Sequence, residues 1–209
     1  MDRKGILLVV SGFSGAGKGT LMKELVGRYD NYALSISATT RSPREGELDG
    51  REYFFRTKEE FEQMIADEAL IEHACYVGNY YGTPRAYVEE QLALGRDVIL
   101  EIEIQGALQI KKRFPDTLLL FVSTPDAETL KNRLIGRGTE SLDVVEKRLS
   151  RASEEAEGIE NYDYFIINDD LDTCVTQVHQ IIQGEHSRVS RNLELINTIK
   201  KDISKFQKG

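Results

Sequence analysis

The chain has no apolar run approaching the ~20 residues needed to cross a bilayer, so no membrane span is expected. Its first four residues, Met1-Asp2-Arg3-Lys4, lead straight into a first strand and leave no room for a signal peptide. The expected location is the cytoplasm. Cysteine is scarce: Cys75 and Cys174 stand alone, without a CxxC spacing, which excludes a disulfide framework and a zinc ribbon. Both read as packing residues in a reducing compartment. Histidine is scarce as well, and His73, His179 and His186 show no ligand spacing, so no metal cluster is expected. Positive charge is in the minority, 27 Lys and Arg against 35 Asp and Glu, for a net charge of -8. That balance argues against a general nucleic-acid or membrane-surface binder. Internal repeats and low-complexity tracts are missing too. What remains, 40% apolar and 30% charged residues over 209 positions, is the composition of one globular core with room for a small insertion.

The strongest positive feature lies near the start. The apolar run Ile6-Leu7-Leu8-Val9-Val10 feeds into Gly12-Phe13-Ser14-Gly15-Ala16-Gly17-Lys18-Gly19-Thr20. A buried strand entering a glycine-rich turn that ends in Gly-Lys reads as a cradle for the phosphates of a nucleoside triphosphate. The glycines let several N–H groups converge on one anion. Lys18 adds a mobile positive charge, and the following helix aims its positive end at the same point. The usual motif has Ser or Thr directly after the Lys, where a hydroxyl can reach Mg²⁺. Here Gly19 holds that position and Thr20 follows.

Strand-like runs at 6–10, 98–104, 118–122 and 164–167 alternate with helical patterns at 20–29, 107–114, 127–135, 142–159 and 171–183. This alternation predicts an α/β fold with helices on both sides of a central parallel sheet. Residues 37–87 break the rhythm, being rich in Thr, Arg, Gly and Tyr with one helix near 58–67. They read as an inserted subdomain for a second substrate. Residues 133–139 form an Arg- and Gly-rich break between helices, suited to a lid that closes on phosphate. Beyond residue 187, Val189, Leu193, Ile196, Ile199, Ile203 and Phe206 recur three or four apart. That stripe predicts an amphipathic helix over 187–209 that docks on the core.

The insertion narrows the substrate. It carries Ser37-Ala38-Thr39-Thr40-Arg41-Ser42-Pro43-Arg44-Glu45-Gly46-Glu47, then Gly50, Tyr53, Phe54, Ile71-Glu72-His73 and Gly78-Asn79-Tyr80-Tyr81-Gly82-Thr83. Further on come Glu101-Ile102-Glu103-Ile104-Gln105-Gly106, Gly136-Arg137-Gly138-Thr139 and Ile167-Asn168-Asp169-Asp170-Leu171. From about residue 5 to 184, this ordered set resembles the guanylate kinase family of P-loop nucleoside monophosphate kinases. The Gly-Lys-Gly-Thr variant of the loop is similar to theirs as well. The resemblance implies a domain over 5–184: a core at 5–36 and 88–184, a GMP-binding insertion at 37–87, and a lid at about 126–150. It implies transfer of the γ-phosphoryl of ATP to GMP, with Mg²⁺ as cofactor.

Those residues also make chemical sense on their own. Arg41 and Arg44 are forks suited to a near-dianionic phosphate, and Tyr53 and Tyr81 can donate phenolic hydrogens to it. Guanine presents N1–H and N2–H₂ side by side, a donor pair that one carboxylate accepts; Glu72 is the natural reader. Guanine O6 needs a donor, for which Ser37 and Thr83 are candidates. Adenine offers no such donor pair. By resemblance, Ser37, Arg41, Arg44, Glu47, Tyr53, Glu72, Tyr81 and Thr83 match the GMP-contacting positions.

Glu101 and Glu103, read as alternating on one strand, put two carboxylates on one side. They either hold Mg²⁺ through its waters together with Thr20, or contact the guanosine side, or form a plain exposed strand face. By resemblance, Arg133, Arg137 and Arg148 close on ATP and on the group in transit, with Arg133, Asn168 and Asp169 near the adenine. The ATP-binding set is thus Gly12 to Thr20 with Arg133, Arg137, Asn168 and Asp169; catalysis is expected to rest on Lys18, Arg41, Arg137 and Arg148. Two rivals are a kinase for another monophosphate and a non-catalytic binding module of the same fold. The intact glycines and Lys18 speak against the module. A regulatory GTPase would need an Asn-Lys-x-Asp motif, which the chain lacks. Whether the chain is a monomer or a homo-oligomer is left open by the residues.

Overall fold

A computed structural model describes residues 4–76, 78–136 and 142–206. In chain order, strand β1 (Leu7–Gly12) leads to helix α1 (Lys18–Arg28), then β2 (Tyr32–Leu34), β3 (Ala38–Thr39), β4 (Phe54–Phe55) and α2 (Lys58–Ala66). Next come β5 (Leu70–Tyr76), β6 (Asn79–Pro84), α3 (Arg85–Ala93), β7 (Asp97–Glu101), α4 (Ile104–Arg113) and β8 (Leu118–Ser123). The chain continues through α5 (Ala127–Gly136), α6 (Leu142–Ala156), β9 (Tyr164–Ile167), α7 (Leu171–His186) and α8 (Leu193–Lys205).

Among the described residues, five strands form one parallel sheet in the order β2-β7-β1-β8-β9. β1 and β8 are apolar on both faces, as central strands of a parallel sheet must be. Leu8 and Val10 point into one core with Leu21, Met22 and Leu25 of α1 and Val175, Val178 and Ile182 of α7. Val9, Val98, Leu100 and Leu119 point the other way, to Val88 of α3 and Ala107 and Ile110 of α4. This is the expected three-layer α/β/α arrangement. Parallel strands place all their carboxyl ends on one side, and ligands of such sheets bind there.

Residues 38–84 carry a second sheet, in the order β4-β3-β6-β5. α2 covers it through Phe61, fully buried with Ala38 and Leu70. The helix begins at a capping box, Thr57 accepting from Glu60 N while the Glu60 carboxylate accepts from Thr57 N.

Three expectations need correction. The alternating run at 98–104 is not one strand: β7 ends at Glu101, where its register with β1 runs out, and Glu103 is the N-cap of α4. The two carboxylates therefore leave different elements. The helix expected over 142–159 stops at Ala156, and a 3₁₀ turn occupies Ile159–Asn161. The stripe in the last helix is there, but it does not dock. No described residue of α8 is buried, and Leu193, Ile199, Ile203 and Phe206 are all exposed. Periodicity specifies the helix, not a neighbour for its face. The base of α8 is held by polar contacts, Asn192 Nδ2 to the His186 carbonyl and Arg191 to the Asp116 carbonyl.

Candidate active site

The loop between β1 and α1 sits at the centre of the sheet's carboxyl edge. Gly12 passes so close to β8 that a Cβ there would lie 2.1 Å from the Val122 carbonyl oxygen. Gly15 and Gly17 have φ of 95° and 88°, left-handed values that glycine adopts without strain. The curl is tied by Ala16 N donating to the Phe13 carbonyl. Phe13 stands edge-on to Phe121 and packs with Leu130, Leu134, Leu149 and Ala152 of α5 and α6, joining the loop to those helices. Lys18 Nζ donates to the carbonyls of Gly12 (2.6 Å) and Phe13 (3.3 Å), so its charge lies over the loop. Thr20 is exposed in the first turn of α1.

Around this loop gather groups from the neighbouring strand ends. Glu101 closes β7. Burial pushes its carboxyl above the usual range, Lys18 pulls it down, and Glu103 pushes it up again. Asn168 follows β9 and is 6% exposed; its Nδ2 donates to the Ala16 carbonyl at 2.8 Å. The side chain thus braces the loop, and Asp169 beside it is exposed. Arg148 of α6 donates to Ser14 Oγ at 3.0 Å, and Arg133 of α5 lies close to Gly17. Arg137 lies outside the described residues. Two neighbours escaped the sequence reading: Ser11 Oγ donates to the Ile102 carbonyl, and Tyr162 lies near Glu103 and Glu155 with burial pushing its phenol up to about 12. No local pattern marks either.

The second group lies on the small sheet. Arg41, just past β3, pairs with Glu47 at 2.9 Å and lies over the Tyr53 ring, 5.2 Å from its centre. Glu47 also accepts from Arg44 N at 2.7 Å, and that bond with Arg41 holds its carboxyl below the usual range. The Arg44 side chain is exposed. Tyr53 meets Tyr81 of β6 edge-on. Burial raises the Tyr53 phenol, then Tyr81, with Arg41 lowering it and Glu101 raising it. That influence of Glu101 links this group to the loop.

Glu72 shows how backbone geometry aims a side chain. β5 and β6 pair antiparallel, Leu70 with Pro84 but His73 with Gly82, so the register slips by one residue between them. The register that continues from His73–Gly82 sets Glu72 opposite Thr83, whose hydroxyl donates to Oε1 at 2.7 Å. Glu72 is 6% exposed, and burial pushes its carboxyl up while the Thr83 bond lowers it. His73 is exposed and Ser37, just before β3, is half-buried.

The arrangement sets a glycine loop and its lysine beside Glu101, and places Arg41, Tyr53, Tyr81 and the buried Glu72 together on the small sheet or its adjoining loops. An open polar cleft of about 500 Å³, lined by Asp163, Tyr164, Gly184, Glu185 and Arg188, lies at the opposite end of β9. Among the described residues no helix is long and apolar enough to cross a membrane, and no three or more His, Cys, Asp or Glu group as metal ligands.

Comparison with known proteins gives the same picture. The family model described as guanylate kinase matches residues 4–185. A guanylate kinase of Bacillus cereus is 52% identical over 191 residues, 91% of this chain and 93% of that protein. One from Listeria innocua is 47% identical over 208 residues, 99% of this chain and 100% of the relative. The crystal structure of guanylate kinase from Anaplasma phagocytophilum superimposes with a TM-score of 0.73 at 30% identity, covering 90% of this chain and 89% of that one. The family match spans nearly the whole length and the α/β fold agrees with that of a solved member, and the chain belongs to the guanylate kinase family.

Proposed function

We propose that this protein transfers the γ-phosphoryl group of MgATP to GMP, and to dGMP, giving ADP and GDP in purine nucleotide metabolism. The observation that carries the reading is Glu72: a buried carboxylate with one oxygen held by Thr83, on the same small sheet as Arg41, Tyr53 and Tyr81. A carboxylate kept out of water needs donors, and guanine N1–H and N2–H₂ supply two. The Thr83 proton is already given to Glu72, which leaves Ser37 to donate to O6.

In this reading residues 37–87 bind GMP, the core is 5–36 with 88–184, 126–150 form the lid, and 187–209 are an appended tail. Arg41, Arg44, Tyr53 and Tyr81 hold the GMP phosphate, and Glu47 fixes the Arg41 fork. Residues 12–20 hold the ATP phosphates, with Arg133, Asn168 and Asp169 on the adenosine side. A GMP phosphate oxygen attacks the γ-phosphorus in line, and the bond to the oxygen bridging the β- and γ-phosphates breaks. The protein positions the two nucleotides and sets Lys18, Arg41, Arg137 and Arg148 against the charge on the transferring group. No general base is needed. Closure of the lid excludes water that would otherwise hydrolyse ATP.

Mg²⁺ fits the same place. Glu103 adds to what holds the Glu101 carboxyl up beside Lys18, an unfavourable charge that a divalent cation would relieve, and Thr20 adds an exposed hydroxyl. These residues would hold the ion through its waters. When bound, Mg²⁺ supplies positive charge to the phosphate oxygens. The free thiols Cys75 and Cys174 support work in the reducing cytoplasm.

The test is ADP release from MgATP with GMP, against AMP, UMP, CMP and TMP as controls. GMP should lead the others by about 10⁴-fold, the margin hydrogen-bonded selection can reach. ATP consumption that GMP does not accelerate would refute the reading and favour a binding module; equal rates with AMP would refute the role of Glu72.

A further inference from the structure

Glu72 is fixed from two sides. Thr83 holds Oε1, and Oε2 turns toward helix α4. There it meets Gly106, in the first turn of that helix. A Cβ added at Gly106 would stand 3.2 Å from Glu72 Oε2, 3.8 Å from the carboxyl carbon and 3.2 Å from Ile102 Cδ1. Real methyl groups seldom sit that near, so a side chain at 106 obliges something to move.

The helix is poorly placed to retreat. Its next residues, Ala107 and Ile110, are fully buried against the sheet. At its other end Arg113 donates to the carbonyl of Ile71, the neighbour of Glu72, at 2.8 Å. The yielding group is therefore the Glu72 side chain, with the tip of Ile102. Nor does the backbone ask for glycine here. Gly106 is not one of the glycines with positive φ, and alanine is the better helix former. What position 106 provides is room beside Oε2.

We propose that Gly106 is a positioning residue for guanine selection, its missing side chain being the space in which the Glu72 carboxylate is set. The proposal rests on the reading of Glu72 as the base reader. A methyl group at 106 displaces Oε2 by a few tenths of an ångström while Thr83 keeps its hold on Oε1, tilting the carboxylate out of line with the paired donors of guanine. It also strips solvent from a carboxylate that burial already pushes up.

The experiment compares the parent with Gly106→Ala, Glu72→Asp, the double variant and Glu72→Gln. Steady-state kinetics are followed for each substrate, with thermal melting and the pH profile of kcat/KM for GMP. Gly106→Ala should raise the KM for GMP about tenfold, in proportion to a sub-ångström misplacement. Its kcat and its KM for MgATP should stay within about twofold of the parent. It should still melt as one cooperative transition, lower than the parent by no more than a few degrees at pH 7, and the acid limb of its GMP profile should move to higher pH. Aspartate is one methylene shorter and clears the methyl, so adding Gly106→Ala to Glu72→Asp should cost less than about twofold more. A GMP KM unchanged in Gly106→Ala would overturn the proposal. So would the same tenfold loss in the aspartate background, or a loss of fold, since each assigns Gly106 to packing alone. Glu72→Gln separates the two claims: if it leaves GMP use intact, the base reader itself is wrong, whereas a damaged Glu72→Gln beside an undamaged Gly106→Ala removes only the role of Gly106.

Discussion

Replacing Glu72 by Gln tests the selection of guanine with little change in shape. The carboxylate offers two acceptor oxygens, one of which also takes the Thr83 hydroxyl at 2.7 Å. Glutamine keeps one acceptor and turns the other into a donor that faces a donor on the base. Hydrogen bonds to charged groups contribute about 1.5–3 kcal/mol each. One such bond lost and the other weakened to a neutral one come to about 3 kcal/mol. At 1.4 kcal/mol per factor of ten, kcat/KM for GMP should fall by about 10²-fold. The KM for MgATP should hold within about twofold. Stability should move the other way. Burial raises the Glu72 pKa in the folded protein, so its favourable contribution is present below the unfolded pKa and is lost as pH rises through the folded value. The variant should therefore melt higher than the parent near neutral pH, with the advantage vanishing in acid. A coupled ADP-release assay and melting curves from pH 4 to 8 read both effects. An equal loss for GMP and MgATP, or a lower melting temperature at pH 7, would refute the reasoning.

Lys18→Ala should cut kcat by about 10²–10³-fold or more, the scale of losing one donor aimed at developing charge. Calorimetry should find its GMP binding intact, and unchanged turnover would remove the assigned cradle. Asn168→Ala leaves the Ala16 carbonyl without its partner. A cost of about 1–3 kcal/mol follows, seen as a melting temperature lower by several degrees and a KM for MgATP raised more than that for GMP; the reverse order of KM changes would contradict the brace. Removing residues 193–209 should shift melting by no more than a degree or two, because no described residue of α8 is buried. A larger drop would mean that the helix packs more than its exposure indicates.

The sequence made the phosphate loop and the alternating strands and helices legible because both are local: a glycine spacing and a periodicity. Strands β1, β8 and β9 fall within a residue or two of their expected positions for that reason. The pairing of β5 with β6 was not legible, because register is a relation between two strands, and it is what sets Glu72 opposite Thr83. Glu103 was misjudged since alternation reads the same whether a strand continues or a helix begins two residues later. The service of Asn168 to the loop spans 152 positions, and no neighbour in sequence hints at it. The stripe of α8 shows the converse failing: a correct local pattern with a wrong guess about what it faces.

β1 comes first among the described strands and stands in the middle of its sheet. Leu7 pairs with Val98 and Leu8 with Leu118, so both flanks come from the later part of the chain. During synthesis, a polypeptide still short of Leu118 lacks β8, the strand on one flank of β1 and the one whose Val122 carbonyl Gly12 packs against. The loop thus reaches its full packing only once the chain has passed β8, and a fragment released earlier keeps the motif in its letters without the strand that backs it.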